Sequence, residues 1–155
     1  MTIFTPLPEN TDIQELIKET FDVDLPLSGD WGYSEEKASI IEALPQGMPL
    51  HQMEHTLTTI RAHLEMNITQ VEEHRYGAIN ANEKAREQIS SDIAIFHKVT
   101  YEITAIKEDL YNTFIKEYKA GYENETLDLN DHFRRRKEAT LTREVVHFFE
   151  VTNLK

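Results

Sequence analysis

The sequence predicts a mainly α protein. The expected architecture is a long antiparallel helical hairpin with a C-terminal helix packed alongside, and a small acidic N-terminal cap that is helical or α+β. Three observations carry this expectation. Apolar residues recur at steps of three and four over residues 50–75 and again over 82–121. A short link around 76–82 separates the two runs, as in helices that fold back on one another. The basic stretch Arg134-Arg135-Arg136-Lys137 propagates helix well and leads into a further apolar set.

Taken in order, the first helix is expected over 12–21. Thr11 stands as its N-cap, Gln14 sits at capping-box spacing, and Ile13, Leu16 and Ile17 form one apolar face. Asp24-Leu25-Pro26 ends it. Gly29 and Gly32 bracket Asp30 and Trp31 in a turn. A short helix over 35–44 follows, N-capped by Ser34 and stopped by Pro45 and Gly47, with a strand over 38–43 as the alternative.

The clearest helix is expected over 50–75, along Met53, Leu57, Ile60, Leu64, Ile68 and Val71, with Gly77 at its C-terminal cap. The partner rod, 82–121, follows Ala85, Ile89, Ile93, Phe96, Val99, Ile103, Ile106, Leu110, Phe114 and Tyr118. At that length it would run about 60 Å and carry a seam of coiled-coil type. Within it, 99–106 is rich in β-formers and stays open between helix and strand. A last helix over 131–150 carries Phe133, Leu141, Val145, Phe148 and Phe149, with 143–151 also readable as a strand. It is expected to return over the far end of the long rod, covering Leu110, Phe114 and Tyr118. All 155 residues form one expected domain, residues 1–48 being the cap and 49–155 the bundle.

Composition narrows function. There are 28 acidic and 16 basic side chains, a net charge of −12. Residues 1–50 contain ten acids against Lys18 and Lys37, so −8 of that charge lies in the first third. Such a surface disfavours direct nucleic-acid binding, since phosphates are repelled. No apolar run is long enough for a membrane span. With no cysteine, there is no disulfide framework, thiolate metal site or thiol nucleophile. A cytoplasmic location is the expectation. Gly-x-Ser-x-Gly and phosphate-binding glycine loops are absent, so no catalytic residue is assigned.

Three groups remain as site candidates. Trp31 and Tyr33, in Gly-Asp-Trp-Gly-Tyr, either plug the core or serve as exposed anchors for a partner. Arg134, Arg135 and Arg136 either dock a partner or neutralise neighbouring acids. His51 and His55 are spaced to converge on zinc, iron or manganese, the alternative reading. On the helical wheel, however, both point away from the apolar seam. Glu54 next to His55 is the wrong spacing for a bundle metal site, which uses Glu-x-x-His. Thr58, Ala62, Glu65 and Thr69 share the face of His51 and His55, and only one of the four is charged, which predicts a second packing surface there.

The functional expectation is a small, acidic, non-catalytic regulatory or binding protein without a cofactor. It would dimerise with itself and present leftover helix stripe to an unidentified protein. The alternatives are a metal-dependent His/carboxylate helical bundle, and an acidic nucleic-acid mimic or inhibitor of a basic protein.

Overall fold

The computed structural model describes Leu7 and residues 12–68, 76–124 and 128–154. In chain order its elements are α1 (Ile13–Phe21), β1 (Leu27–Gly29), β2 (Ser39–Ile41), α2 (Leu50–His63), β3 (Tyr76–Ser90), β4 (Ile95–Lys107), α3 (Glu108–Asn124), α4 (Leu129–Ala139) and β5 (Leu141–Glu150). The fold is therefore mixed α/β. The expected helical bundle and coiled coil are overturned by a five-stranded sheet of order β1-β2-β5-β4-β3. Only β2 and β5 pair in parallel; the other neighbours are antiparallel.

The largest correction falls on 82–121, which is a β-hairpin followed by a helix instead of one rod. Strand β4 alternates over residues 99–105. Val99, Tyr101, Ile103 and Ala105 are buried, whereas Thr100, Glu102 and Thr104 are not. That is the period of a pleated strand with one face packed. Ser90-Ser91-Asp92 lies at the reversal. Residues 91–94 form the hairpin loop, closed by Ser91 N–H donating to Ala94 O at 2.9 Å, with Ser91 Oγ accepting from Ala94 N–H at 3.1 Å. Gly77 and Asn80, expected at helix ends, belong to β3, where the register against β4 shifts between them.

In the same way the expected helix over 131–150 divides. Its first half is α4, N-capped by Asp128, whose carboxylate accepts from Asp131 N–H. Its second half is β5, with Val145, His147 and Phe149 buried in alternation. The segment 38–43 takes its strand alternative as β2. The first helix stands, but the cap that holds it is Asp12, accepting from Glu15 N–H at 3.1 Å. Thr11 and Val71 lie outside the described residues.

One face of the sheet carries the core. α2 lies against it, burying Met53 and Leu57, and α1 adds Ile13 and Ile17. Trp31, Tyr101, Ile103 and Phe149 complete the core. Residues of the N-terminal third are thus part of the main sheet and core, through β1, β2 and Trp31. The long helix that the C-terminal helix was to cover is absent; instead the shorter α4 packs on α3. Phe114 is buried and Tyr118 meets His132 and Phe133, although Leu110 stays exposed. Among the described residues no helix is long and apolar enough to cross a membrane.

Candidate functional site: the open face of the sheet

The packed face holds most of the polar groups that chemistry would need, and they are engaged with one another. Glu54, on α2, is fully buried. Its Oε2 accepts from His97 Nδ1 at 2.7 Å and its Oε1 from Arg86 Nη1 at 2.9 Å. The bulge between Glu83 and Ala85 of β3 brings Glu83 to the same guanidinium, at 2.7 Å. Hydrogen bonding to Glu83 and Glu54 holds Arg86 above its ordinary range, against the opposing effect of burial. Tyr101 lies beside this group; burial, then the charge of Glu54, pushes its hydroxyl above the usual range.

A second cluster joins α2 to the N-terminal turn. Arg61 is buried and donates to the carbonyls of Trp31 at 3.2 Å and Val146 at 3.1 Å, with its guanidinium stacked over Tyr33. Tyr33 donates to Glu65, which also meets Arg143 at 3.1 Å. A third is built on His147, whose ring nitrogens meet Ser39 Oγ at 2.9 Å and Thr58 Oγ1 at 3.0 Å. Burial, then the nearby Arg61 charge, holds His147 well below its ordinary pKa, so the ring is neutral. Gly32 presses on that ring. Its φ of +83° places its backbone where a Cβ would overlap His147 and lie 2.8 Å from Phe148 O. These clusters tie α2 to the sheet; buried charge of this kind is kept only when partnered.

The structure separates the residues singled out from sequence. Trp31 is fully buried, so no ring surface is left for an anchor; it plugs the core. Tyr33 is half-buried, with its hydroxyl accepting from Leu7 N–H and donating to Glu65. Arg134 and Arg135 pair with Asp131, Glu138 and Glu117 on the α3–α4 hairpin, which neutralises them. Arg136 sits near Tyr111 and Phe133 instead. His51 and His55 are both exposed, and His55 Nε2 meets Ala81 O at 2.8 Å. Among the described residues no group of three or more His, Asp or Glu is arranged to hold a metal. The expected helical bundle that was to bring carboxylates to the pair is absent: residues 82–121 run through β3, β4 and the separate helix α3. Of the four residues whose low charge predicted a second packing surface, Thr58, Ala62 and Glu65 are buried, and Thr69 lies outside the described residues.

The other face of the sheet went unrecognised in the sequence, because a helical rod has no such face. The strand register defines it. It carries Asn82, Ala85, Glu87 and Ile89 of β3, Phe96, Lys98, Thr100, Glu102 and Thr104 of β4, and Thr142, Glu144, Val146, Phe148 and Glu150 of β5. None of these is buried, whereas Val99, Tyr101, Ile103, Val145, His147 and Phe149, which alternate with them, all are. The α3–α4 hairpin reaches only the end of the sheet, near Asn80 and Thr104. Antiparallel sheets tolerate one solvated face, but a solvated face is normally polar. Here Phe96, Val146 and Phe148 stand in its middle, with Lys98 Nζ over the Phe148 ring at 5.9 Å.

Around that apolar strip the charge is one-sided. Glu87, Glu102, Glu144 and Glu150 face outward, against Lys98 and Lys84, and Lys84 is itself paired with Glu102 at 3.9 Å. At the β1–β2–β5 corner a recess of about 280 Å³ is lined by Asp30, Glu35, Glu36, Ile40 and Glu150, with no Lys or Arg among the described residues that line it. In comparisons with known proteins, no family model, curated protein or solved structure matched the chain. Function is therefore inferred from the chain's own geometry.

Proposed function

We propose that the chain is a non-catalytic binding protein whose open sheet face docks a basic protein. One observation carries this: one face of the sheet is buried in the core, whereas the outward positions of the other, with Phe96, Val146 and Phe148 among them, are none of them buried. A contiguous apolar strip with a charged rim is the usual anatomy of an interaction surface. The glutamates of the rim select a cationic partner and raise its rate of encounter. The acidic corner recess takes a Lys or Arg side chain from that partner. The mechanism expected from sequence, a leftover helix stripe along the rod, is withdrawn, because the rod is broken into two strands, β3 and β4, and the separate helix α3.

A photo-crosslinking residue placed at Thr100 or Val146 tests the proposal in lysate of the source cells. Expected is a cross-link to a basic protein that disappears when Glu102 and Glu144 are both replaced by Lys. A cross-link indifferent to that reversal, or none from the open face, removes the reading. A cytoplasmic location and self-association to a homodimer belong to the same proposal. Cell fractionation and light scattering of the purified chain test them. An inhibitor of a basic DNA-handling enzyme is one form the proposal takes, distinguished by which partner the cross-link recovers.

A further inference from the structure

The run Arg134-Arg135-Arg136-Lys137 divides into two unlike pairs. Arg134 is held by Asp131 at 2.6 Å and Glu138 at 2.8 Å, and Arg135 by Asp131 at 2.9 Å and by Glu117. Arg136 and Lys137 have no carboxylate partner among the described residues. They line a recess of about 190 Å³ at the end of the sheet, opposite Asn80 of β3 and Thr104 of β4, with Thr140 beside them.

Three features make this recess receptive to an anion. Two adjacent cations have no carboxylate partner among the described residues, in a chain whose net charge is −12. Among the described residues, no acidic side chain lines the recess. Two of the last carbonyls of α4, whose negative ends would oppose an anion, are hydrogen-bonded. Thr140 Oγ1 donates to Arg136 O at 2.7 Å and Thr140 N–H to Lys137 O at 3.1 Å. The Arg136 guanidinium is 5.9 Å from the centre of the Tyr111 ring and 5.8 Å from that of Phe133. Such ring contacts orient it without consuming its N–H donors.

We propose that this recess binds a phosphoryl group. Arg136 supplies a planar fork, Lys137 a second positive charge, and Thr104 and Asn80 further donors; a dianionic oxyanion uses all of these. The space is smaller than the clefts of about 300–1,000 Å³ that enclose whole small-molecule ligands, so the phosphoryl group itself is what is recognised. The site does not depend on the docking proposal, since it lies on α4 and the sheet end.

The test is calorimetric titration of the full chain at low ionic strength, with inorganic phosphate and with O-phosphoserine as separate probes. Saturable binding of either is expected. Arg136→Gln and Lys137→Gln should each weaken it about tenfold, the loss of one charge-assisted hydrogen bond. Arg134→Gln should leave it unchanged. Tighter binding of O-phosphoserine assigns the site to a phosphomonoester, and tighter binding of inorganic phosphate assigns it to the free anion. Lys137 is exposed, so its substitution reports on binding without disturbing the fold. No saturable binding of either probe up to about 10 mM, or an Arg134→Gln loss equal to that of Lys137→Gln, overturns the proposal.

Discussion

Replacing Arg86 with Gln should destabilise the protein more than replacing Glu54 with Gln, although the two side chains form one ion pair. Glu54 is fully buried, and Arg86 is 30% exposed. Removing Arg86 leaves a buried carboxylate with His97 as its remaining partner. Breaking a buried pair in this way costs about 3–5 kcal/mol, and the exposure of Arg86 places it near the lower end, about 3 kcal/mol. Removing the charge of Glu54 instead leaves Arg86 in contact with Glu83 at 2.7 Å and with water. The Gln amide keeps the volume and one acceptor, so the loss is one charge-assisted hydrogen bond, about 1.5–2 kcal/mol. Urea unfolding followed by Trp31 fluorescence measures both. With a slope of about 2 kcal/mol/M the midpoints fall by about 1.5 M for Arg86→Gln and by less than about 1 M for Glu54→Gln. The double variant should cost less than the two summed, because the buried charge and its partner leave together. Equal midpoints, or Glu54→Gln as the more damaging change, would refute the reasoning that desolvation of Glu54 dominates the cluster.

Three further predictions concern other parts of the molecule. His147 is held neutral by burial, below its ordinary value of 6.5. The unfolded chain therefore binds a proton that the folded chain does not, so stability is intact above pH 6.5 and falls below it. The slope contributed is up to about 1.4 kcal/mol per pH unit, and unfolding curves of His147→Gln measured across that range should lack it. Gly32→Ala should cost about 3 kcal/mol, since it combines a positive φ with a Cβ driven into His147; a midpoint within error of wild type would contradict this. Glu102→Lys with Glu144→Lys, both outward-facing, should change stability by no more than about 0.5 kcal/mol each, so any loss of a bound partner in that variant reports on the surface and not on folding.

The sequence made some elements legible and hid others for a definable reason. α1 and the start of α2 were readable because breakers and an apolar face agree locally. The helix expected over 50–75, however, ends as an α-helix at His63 and continues as a π-helix over Leu64–Ile68, with 69–75 outside the described residues and Gly77 in β3. The strands were misread because a spacing of four satisfies both periods. Val99 and Ile103 on β4, and Val145 and Phe149 on β5, share a face in either a helix or a strand. The residues that decide the matter are Tyr101 and His147, which lie between them and are buried. Tyr101 lies two residues from Val99 and from Ile103, off the steps of three and four, and His147 is polar, so neither enters the helical apolar pattern. The β-branched content of 99–106 was the stronger signal. The low charge beside His51 and His55 was legible too, and it marked the burial of Thr58, Ala62 and Glu65. The polar clusters were not legible, because Glu54, Arg86 and His97 meet only once the β3–β4 register is set. The open face follows from that register as well, and the split of the RRRK run follows from where α4 meets the sheet end.

Hydroxyl-radical footprinting of the isolated chain, read by mass spectrometry residue by residue, tests most directly whether one side of the sheet is left bare. Phe148 and Phe149 are adjacent in β5 and point to opposite faces. Oxidation at Phe96 and Phe148, with Tyr101 and Phe149 protected, is the predicted result. Protection of Phe148 equal to that of Phe149 would contradict it and leave no docking surface of the kind inferred.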